Sequence, residues 1–368
     1  MRRLAFLRVV ALLLSCLLVV VGCGDDASDD PAQPATPSSS SDEPGDDGTD
    51  GGDTSCTTVV PPPAATRAVI VPDPRPGDLR VDPNADTLPA DYNPPPAAVV
   101  QNDLAYGPDP AHRLDLYLPE QASAPVILFL HSGGWVGGTR AAVPPMVLRF
   151  LELGYAVASA DYRLAPDHPF PSAVQDAKRA VRWLKATDDL GPHLDQERVA
   201  VYGTSAGGHL AAMVGATPGR FEPIDLPPEL AVVDSSVVGI VSVVGPTDLE
   251  SFYTQPHPWA EGLTEALLGC RPCDATTLSM ASPTPYLSGD LPPAYWAYGV
   301  DDLLVDAASQ GEVIAAQWAE YADADHSWLD LVDECSHNVN PSLVNQRWVE
   351  GFIDFAMEHH AGVDNSTQ

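Results

Sequence analysis

The chain has 368 residues, 45% of them apolar, with 18 Lys and Arg against 51 Asp and Glu and a formal net charge of −33. That balance excludes a nucleic-acid surface, because a phosphate backbone is held by clustered positive charge. The composition is also uneven: 15 of the 38 prolines fall between Pro31 and Pro96, so the first quarter is a poor source of packed core.

Residues 1–22 read as a signal peptide. Arg2, Arg3 and Arg8 form a positive start, and the apolar run Val9–Val21 is shorter than the stretch of about 20 residues that spans a bilayer. It ends in Val20-Val21-Gly22-Cys23, which resembles a bacterial lipobox, with Cys23 as the lipidated residue. The reading is therefore an exported protein, lipid-anchored to a bacterial membrane. Residues 23–60 form an acidic tether: ten carboxylates and no cation lie between residues 24 and 54, and such a segment repels itself and stays solvated. Residues 61–97 read as a proline-rich extended segment without the apolar spacing of a helical lid.

Residues 98–362 alternate short apolar strands with longer amphipathic helices. Val99–Ala105 and His112–Leu118 read as a leading strand pair, and Val126–Leu130 as a strand buried on both faces. A helix over Met146–Leu153 stops at Gly154. Tyr155–Ala160 is a strand, and Ala173–Leu184 a helix with Val174, Ala177, Val181 and Leu184 on one face. Val199–Tyr202 is a strand, followed by a small-residue helix over Ala206–Val214. Further strands are expected at Val237–Val244, Ala294–Tyr298 and Trp328–Val332, and further helices at Val313–Tyr321 and Leu343–Met357. This alternation predicts an α/β fold with a mostly parallel central sheet and helices on both faces.

Gly203-Thr204-Ser205-Ala206-Gly207 is a G-x-S-x-G motif that leaves a strand and enters a helix. In that setting the serine sits on a turn too tight for flanking side chains and lifts its hydroxyl above the sheet as a nucleophile. His131-Ser132-Gly133-Gly134-Trp135 ends another buried strand. Its paired glycines let N–H groups approach a developing oxyanion, so Gly133 and Gly134, with the Ala206 N–H, are the candidate donors. His131 is read as a brace for that loop, and Trp135 as a wall of the substrate cleft.

The base and its acid come later in the chain. His337 follows the last strand and fits a general base; His326, which opens that strand, is the weaker candidate, and His209, one turn after Ser205, reads as structural. Asp301 and Asp302 both follow the Ala294–Tyr298 strand, where a carboxylate can orient an imidazole. Asp248, after the preceding strand, reads as ordering its loop. His359 and His360 read as a solvated tail, and no spaced His/Cys/Asp cluster points to a metal. Once Cys23 is set aside, Cys56, Cys270, Cys273 and Cys335 remain from the exported chain; disulfides are expected, with Cys270–Cys273 as a local bridge and Cys56–Cys335 as the other pair.

From about Tyr106 to His360 the sequence resembles an α/β-hydrolase of the hormone-sensitive-lipase-like group, and within it the bacterial feruloyl and acetylxylan esterases. The matching stretches are His131–Trp135, Asp161–Pro166, Gly203–Leu210, Gly299–Val305 and His337. The resemblance implies a cofactor-independent serine carboxylesterase for small-molecule or carbohydrate-linked esters. It selects Asp302 over Asp301 as the acid, and makes Arg163 structural. Ser132 stands where the family's oxyanion motif has its first glycine. The acidic, proline-rich N-terminus does not resemble the family's helical cap, so a small or absent cap and an acetyl-type acyl group are expected. The insertions Thr217–Asp234 and Leu249–Leu268 then become the candidate substrate walls. An amide hydrolase on the same residues, or a silent binding protein that kept the fold, are the alternatives.

Overall fold

The structure, a computed structural model, describes residues 99–364 apart from 188–189, 191, 290, 323, 333–334 and 338–345. The segments read as a signal peptide, an acidic tether and a proline-rich stretch, with Cys23 and Cys56, lie outside the described residues.

Runs of buried β-branched and aliphatic residues build one sheet from β1 (Val99–Ala105), β2 (Arg113–Leu118), β3 (Ala124–Leu130), β4 (Ala156–Ala160), β5 (Leu194–Thr204), β6 (Gly239–Val243), β7 (Ala294–Gly299) and β8 (Ser327–Val332). Their order is β1-β2-β4-β3-β5-β6-β7-β8. β1 and β2 pair antiparallel, as do β2 and β4, and every pair from β4 to β8 is parallel. The parallel strands explain the continuous apolar runs, since helices cover both of their faces. β3 lies between β4 and β5, so the connection leaving β3 runs toward β4 and the one leaving its neighbour β5 runs the opposite way, toward β6. That divergence is where an open α/β sheet forms its crevice.

The helices are α1 (Pro145–Leu148), α2 (Ser172–Ala186), α3 (Ala206–Ala216), α4 (Pro228–Ala231), α5 (Leu249–Thr254), α6 (Ala260–Leu268), α7 (Ala275–Met280), α8 (Val313–Tyr321) and α9 (Gln346–Asp364). One core layer joins α2, α3 and α8 to the sheet; the other joins α1 and α9 to its opposite face. All residues of α3 are buried, which explains a segment of small apolar residues with no polar side.

Several expected elements shift. The helix expected over Met146–Leu153 is the single turn of α1 followed by a 3-10 turn, Arg149–Leu151. Tyr155 N–H donates to the Phe150 carbonyl, so the chain tightens to enter β4 at once. α9 runs through His359 and His360, which belong to a helix rather than to a tail. β5 begins five residues before Val199, because Leu194 and Asp195 pair with Ala124 and Pro125 ahead of a register shift. Cys270 and Cys273 are bonded to each other, with Cα atoms 5.0 Å apart, just beyond the left-handed cap Gly269 of α6.

α2 buries the apolar stripe read from the sequence, and it also buries Asp176, Lys178, Arg179 and Arg182. The insertion after α3 covers that polar side. Lys178, fully buried, donates to the carbonyls of Thr217 and Arg220 and to Glu222 Oε1 at 3.0 Å. Arg182 reaches Glu222 Oε2 at 2.7 Å, Arg179 pairs with Asp225, and Lys185 holds Asp234 at 3.0 Å. The chain's two lysines thus join a row of cations that holds one insertion. Burial pushes the Lys178 ammonium down from its ordinary value, and the Glu222 carboxylate opposes that shift. Removing one member of a buried pair strands the other, at a cost of about 3–5 kcal/mol. Glu222→Ala should therefore lose most of that amount in urea denaturation, and Glu222→Gln less.

Candidate active site

The parallel strands end on one edge of the sheet, and the candidate residues follow those ends. Leu130 at the end of β3 pairs with Gly203 near the end of β5, so the oxyanion loop and the nucleophile turn are neighbours. A Cβ on Gly203 would overlap the Gly207 carbonyl oxygen, and one on Gly207 would overlap the Leu130 carbonyl oxygen. Only glycine allows this approach. Between them Ser205 has φ 54 and ψ −116, outside the regions a side chain prefers. Its N–H donates to the Val243 carbonyl at 2.8 Å, and its own carbonyl accepts from His209 N–H at 3.0 Å. These bonds hold the turn.

Ser205 Oγ lies 3.0 Å from His337 Nε2, and His337 Nδ1 lies 2.8 Å from Asp302 Oδ2. The carboxylate can only accept, so Nδ1 carries the proton and Nε2 presents its lone pair to the serine hydroxyl. Asp302 is buried, and its Oδ1 accepts from the Leu304 and Val305 N–H groups, each at 2.8 Å. Four contacts therefore fix both carboxylate oxygens and the ring. Asp301 is exposed; its N–H donates to the Cys335 carbonyl at 2.9 Å, which ties the acid loop to the loop bearing His337. Asp248 caps α5, accepting from Glu250 and Ser251 N–H groups. His326 lies at the opposite end of β8 from His337, with its ring 5.5 Å from Phe355.

The oxyanion loop turns through three positive φ angles: 127° at Gly133, 59° at Gly134 and 62° at Trp135. Gly134 packs against α6, where an added Cβ would sit 2.7 Å from Leu263 Cδ2. Behind the loop, His131 Nδ1–H donates to the Ser132 carbonyl at 2.7 Å, and the ring stacks on Tyr162 at 4.2 Å. Tyr162 in turn donates to the His131 carbonyl at 2.8 Å. Burial holds the His131 imidazole below its ordinary pKa. Arg163 forks onto the buried Asp176 carboxylate, 2.6 Å at the closest.

Trp135 does not form an exposed wall. It is 2% exposed, and its indole N–H donates to His209 Nδ1 at 3.2 Å. His209 Nε2–H donates onward to the Ala281 carbonyl at 2.8 Å. The sequence presents Trp135 and His209 as separate residues, whereas the fold makes them one strut between oxyanion loop and nucleophile helix. The available signal was position: a histidine four residues after the serine lies on the first turn of α3. Among the described residues no group of three or more His, Cys, Asp or Glu side chains is placed to hold a metal ion.

Burial drives the His209 pKa down to about 4. The unfolded chain takes up this proton near pH 6.5 and the folded chain does not until about 4. Acid therefore favours unfolding: the His209 contribution is complete above pH 6.5 and falls by about 3 kcal/mol as the pH drops to 4. His209→Asn should be less stable than the parent at pH 7, yet lose less further stability between pH 6.5 and 4.5 in urea titrations.

Residues 114–317 match the BD-FAE family model. The esterase LipC of Mycobacterium tuberculosis is 32% identical over 258 residues, 66% of this chain and 60% of that protein. LipI of the same organism, also an esterase, is 33% identical over 54% of this chain and 62% of its own length. The chain spans between 48% and 62% of the first three curated relatives. Among solved structures, a bifunctional GH43-CE protein of Bacteroides eggerthii superposes with a TM-score of 0.61 at 24% identity, covering 71% of this chain and 38% of that one. A thermophilic esterase of Thermogutta terrifontis gives 0.56 at 23%, covering 72% and 92%. Both likenesses are of the fold.

Proposed function

The chain belongs to the BD-FAE family of α/β-hydrolases, and on that premise we propose that it is a serine carboxylesterase acting on short-chain, acetyl-type esters. The observation that carries this reading is the continuous run from Ser205 Oγ through the His337 ring to the buried Asp302 carboxylate. In it, His337 Nε2 takes the hydroxyl proton as Ser205 attacks the ester carbonyl. Asp302 keeps the ring in the Nδ1–H tautomer and stabilises the imidazolium that forms. N–H groups of Gly133, Gly134 and Ala206 receive the oxyanion. His337 returns its proton to the leaving alcohol, and water then releases the acyl group from Ser205 by the same route. No step in this cycle calls for a cofactor.

The small acyl group rests on packing: Leu263 against Gly134 narrows the space beside the oxyanion loop. The relatives named esterase support the reaction class. We also place the domain outside the cytoplasm, lipid-anchored through Cys23 and carried on its acidic tether, with Cys56–Cys335 as a second disulfide. Among the described residues no helix is long and apolar enough to cross a membrane. Cys23→Ser should release the protein from a washed membrane fraction into the soluble one, and unchanged retention refutes the anchor.

A fluorophosphonate probe should label Ser205 and no other serine by peptide mapping; absence of that adduct in folded protein overturns the esterase reading. With 4-nitrophenyl acetate, Asp302→Asn should lower kcat by roughly 10³–10⁴-fold, and His337→Ala by about as much or more. His326→Ala, whose ring lies at the far end of β8, should retain kcat within a few-fold.

A further inference from the structure

The insertion Leu249–Leu268 is fastened to both halves of the site. At one end of α5, buried Gln310 accepts from the Thr247 and Asp248 N–H groups at 2.7 and 2.8 Å. At the other end, Gln255 Nε2 donates to the Leu304 carbonyl, two residues beyond Asp302. α6 then brings Leu263 onto Gly134. Between these anchor points runs His257-Pro258-Trp259. The segment therefore crosses from the acid loop to the oxyanion loop, on the side of the sheet where Ser205 stands.

Two of its side chains have no task in the mechanism above. Trp259 is 45% exposed, a large flat apolar surface left in water. It shares a face of α6 with Leu263, one turn on, whose N–H donates to the Trp259 carbonyl at 2.9 Å. The His257 ring meets the Trp259 ring edge-on at 5.5 Å and 76°. Its Nδ1 accepts from the Trp259 N–H at 3.3 Å, which leaves the proton on Nε2 as a donor. The pKa of His257 is lowered by burial and, next, by the charge of His337, so the two imidazoles are within electrostatic reach. Leu303, next to Asp302 in the acid loop, is 82% exposed.

Gln255 ties the insertion to Leu304, two residues beyond the Asp302 that holds His337, so the turn that follows lies on the His337 side of the site and meets a particular half of the substrate. His337 protonates the leaving alcohol, so that oxygen must come within hydrogen-bond reach of Nε2, and what flanks the ring flanks the alcohol. We propose that His257 and Trp259 form a leaving-group subsite that takes a ring-bearing alcohol, with the ring's flat face on Trp259 and a ring-borne oxygen accepting from His257 Nε2–H. A flat, weakly polar face with oxygen at its edge is the chemistry of a sugar ring and of a substituted phenol. The inference rests on the esterase reading and adds which half of the ester this insertion selects.

The test compares kcat/KM for acetylated methyl xyloside, 4-nitrophenyl acetate and ethyl acetate, the last having no ring. Trp259→Ala should lower the ring-to-ethyl ratio by about two- to tenfold, through KM rather than kcat, whereas Trp259→Phe should keep most of it. His257→Ala should lower the same ratio for the xyloside. Loss with the sugar ester alone assigns a carbohydrate alcohol; loss with both ring esters assigns any flat ring. A parent that hydrolyses ethyl acetate but whose ratio is unchanged in both Trp259→Ala and His257→Ala overturns the subsite alone. A parent that turns over none of the three esters and takes no fluorophosphonate adduct overturns the esterase reading, and the subsite with it.

Discussion

Backbone crowding at the turn between β5 and α3 sets the position of every other group in the site. Gly203 lies against the Gly207 carbonyl, Gly207 against the Leu130 carbonyl, and Gly208 against Gly245. These contacts bring the ends of three parallel strands together at van der Waals distance around one residue. Ser205 takes a conformation that costs on the order of 1–3 kcal/mol, and it keeps it because the segments on both sides cannot move. β5 is paired on both edges, and α3 is buried along its whole length. The strain is held by the core.

Around that turn, three histidines do different work because their partners differ. His337 faces a carboxylate on one nitrogen and the serine hydroxyl on the other, and it remains partly exposed. His209 has a carbonyl on one side and an indole N–H on the other. That pairing fixes a neutral tautomer and leaves nothing with which to move a proton. His131 donates to the neighbouring carbonyl and stacks on Tyr162. Only the first arrangement joins an acceptor for the ring N–H to a serine hydroxyl. The other two hold the 131–135 loop in place, which matters for the proposed oxyanion donors because donors aimed at a developing charge act only while they stay aimed.

Charge follows a similar division. The acidic excess lies largely on the surface and in the N-terminal quarter, whereas several of the few cations are inside. Lys178, Arg179 and Arg182 secure the insertion after α3, and Arg140 bridges Asp103, Asp115 and Asp161 behind the oxyanion loop. A buried ion pair is weak evidence for net stability. It fixes position instead, because each member has one low-energy place to be. Here it sets an otherwise irregular segment on α2.

The sequence alone determined the α/β class, the order of its strands along the chain and the serine that stands at the end of one of them. Apolar runs have the strand or helix period, and G-x-S-x-G needs its glycines locally, so Ser205 was legible from a dozen residues. Asp302 was legible only with the help of a family resemblance, since Asp301 fits the same local pattern; burial and two N–H donors to Asp302 separate them in space. What only the tertiary structure decided are relations between distant segments. Trp135 and His209 are 74 residues apart, and no local pattern announces a hydrogen bond between them. Gln255 and Gln310, polar residues in short irregular elements, give no periodic signal, yet they fasten the insertion to the acid loop. Local sequence carries propensity and periodicity, which act over a few residues. Long-range polar contacts arise only after the sheet has brought strand ends together, and those contacts give the site its walls and its rigidity.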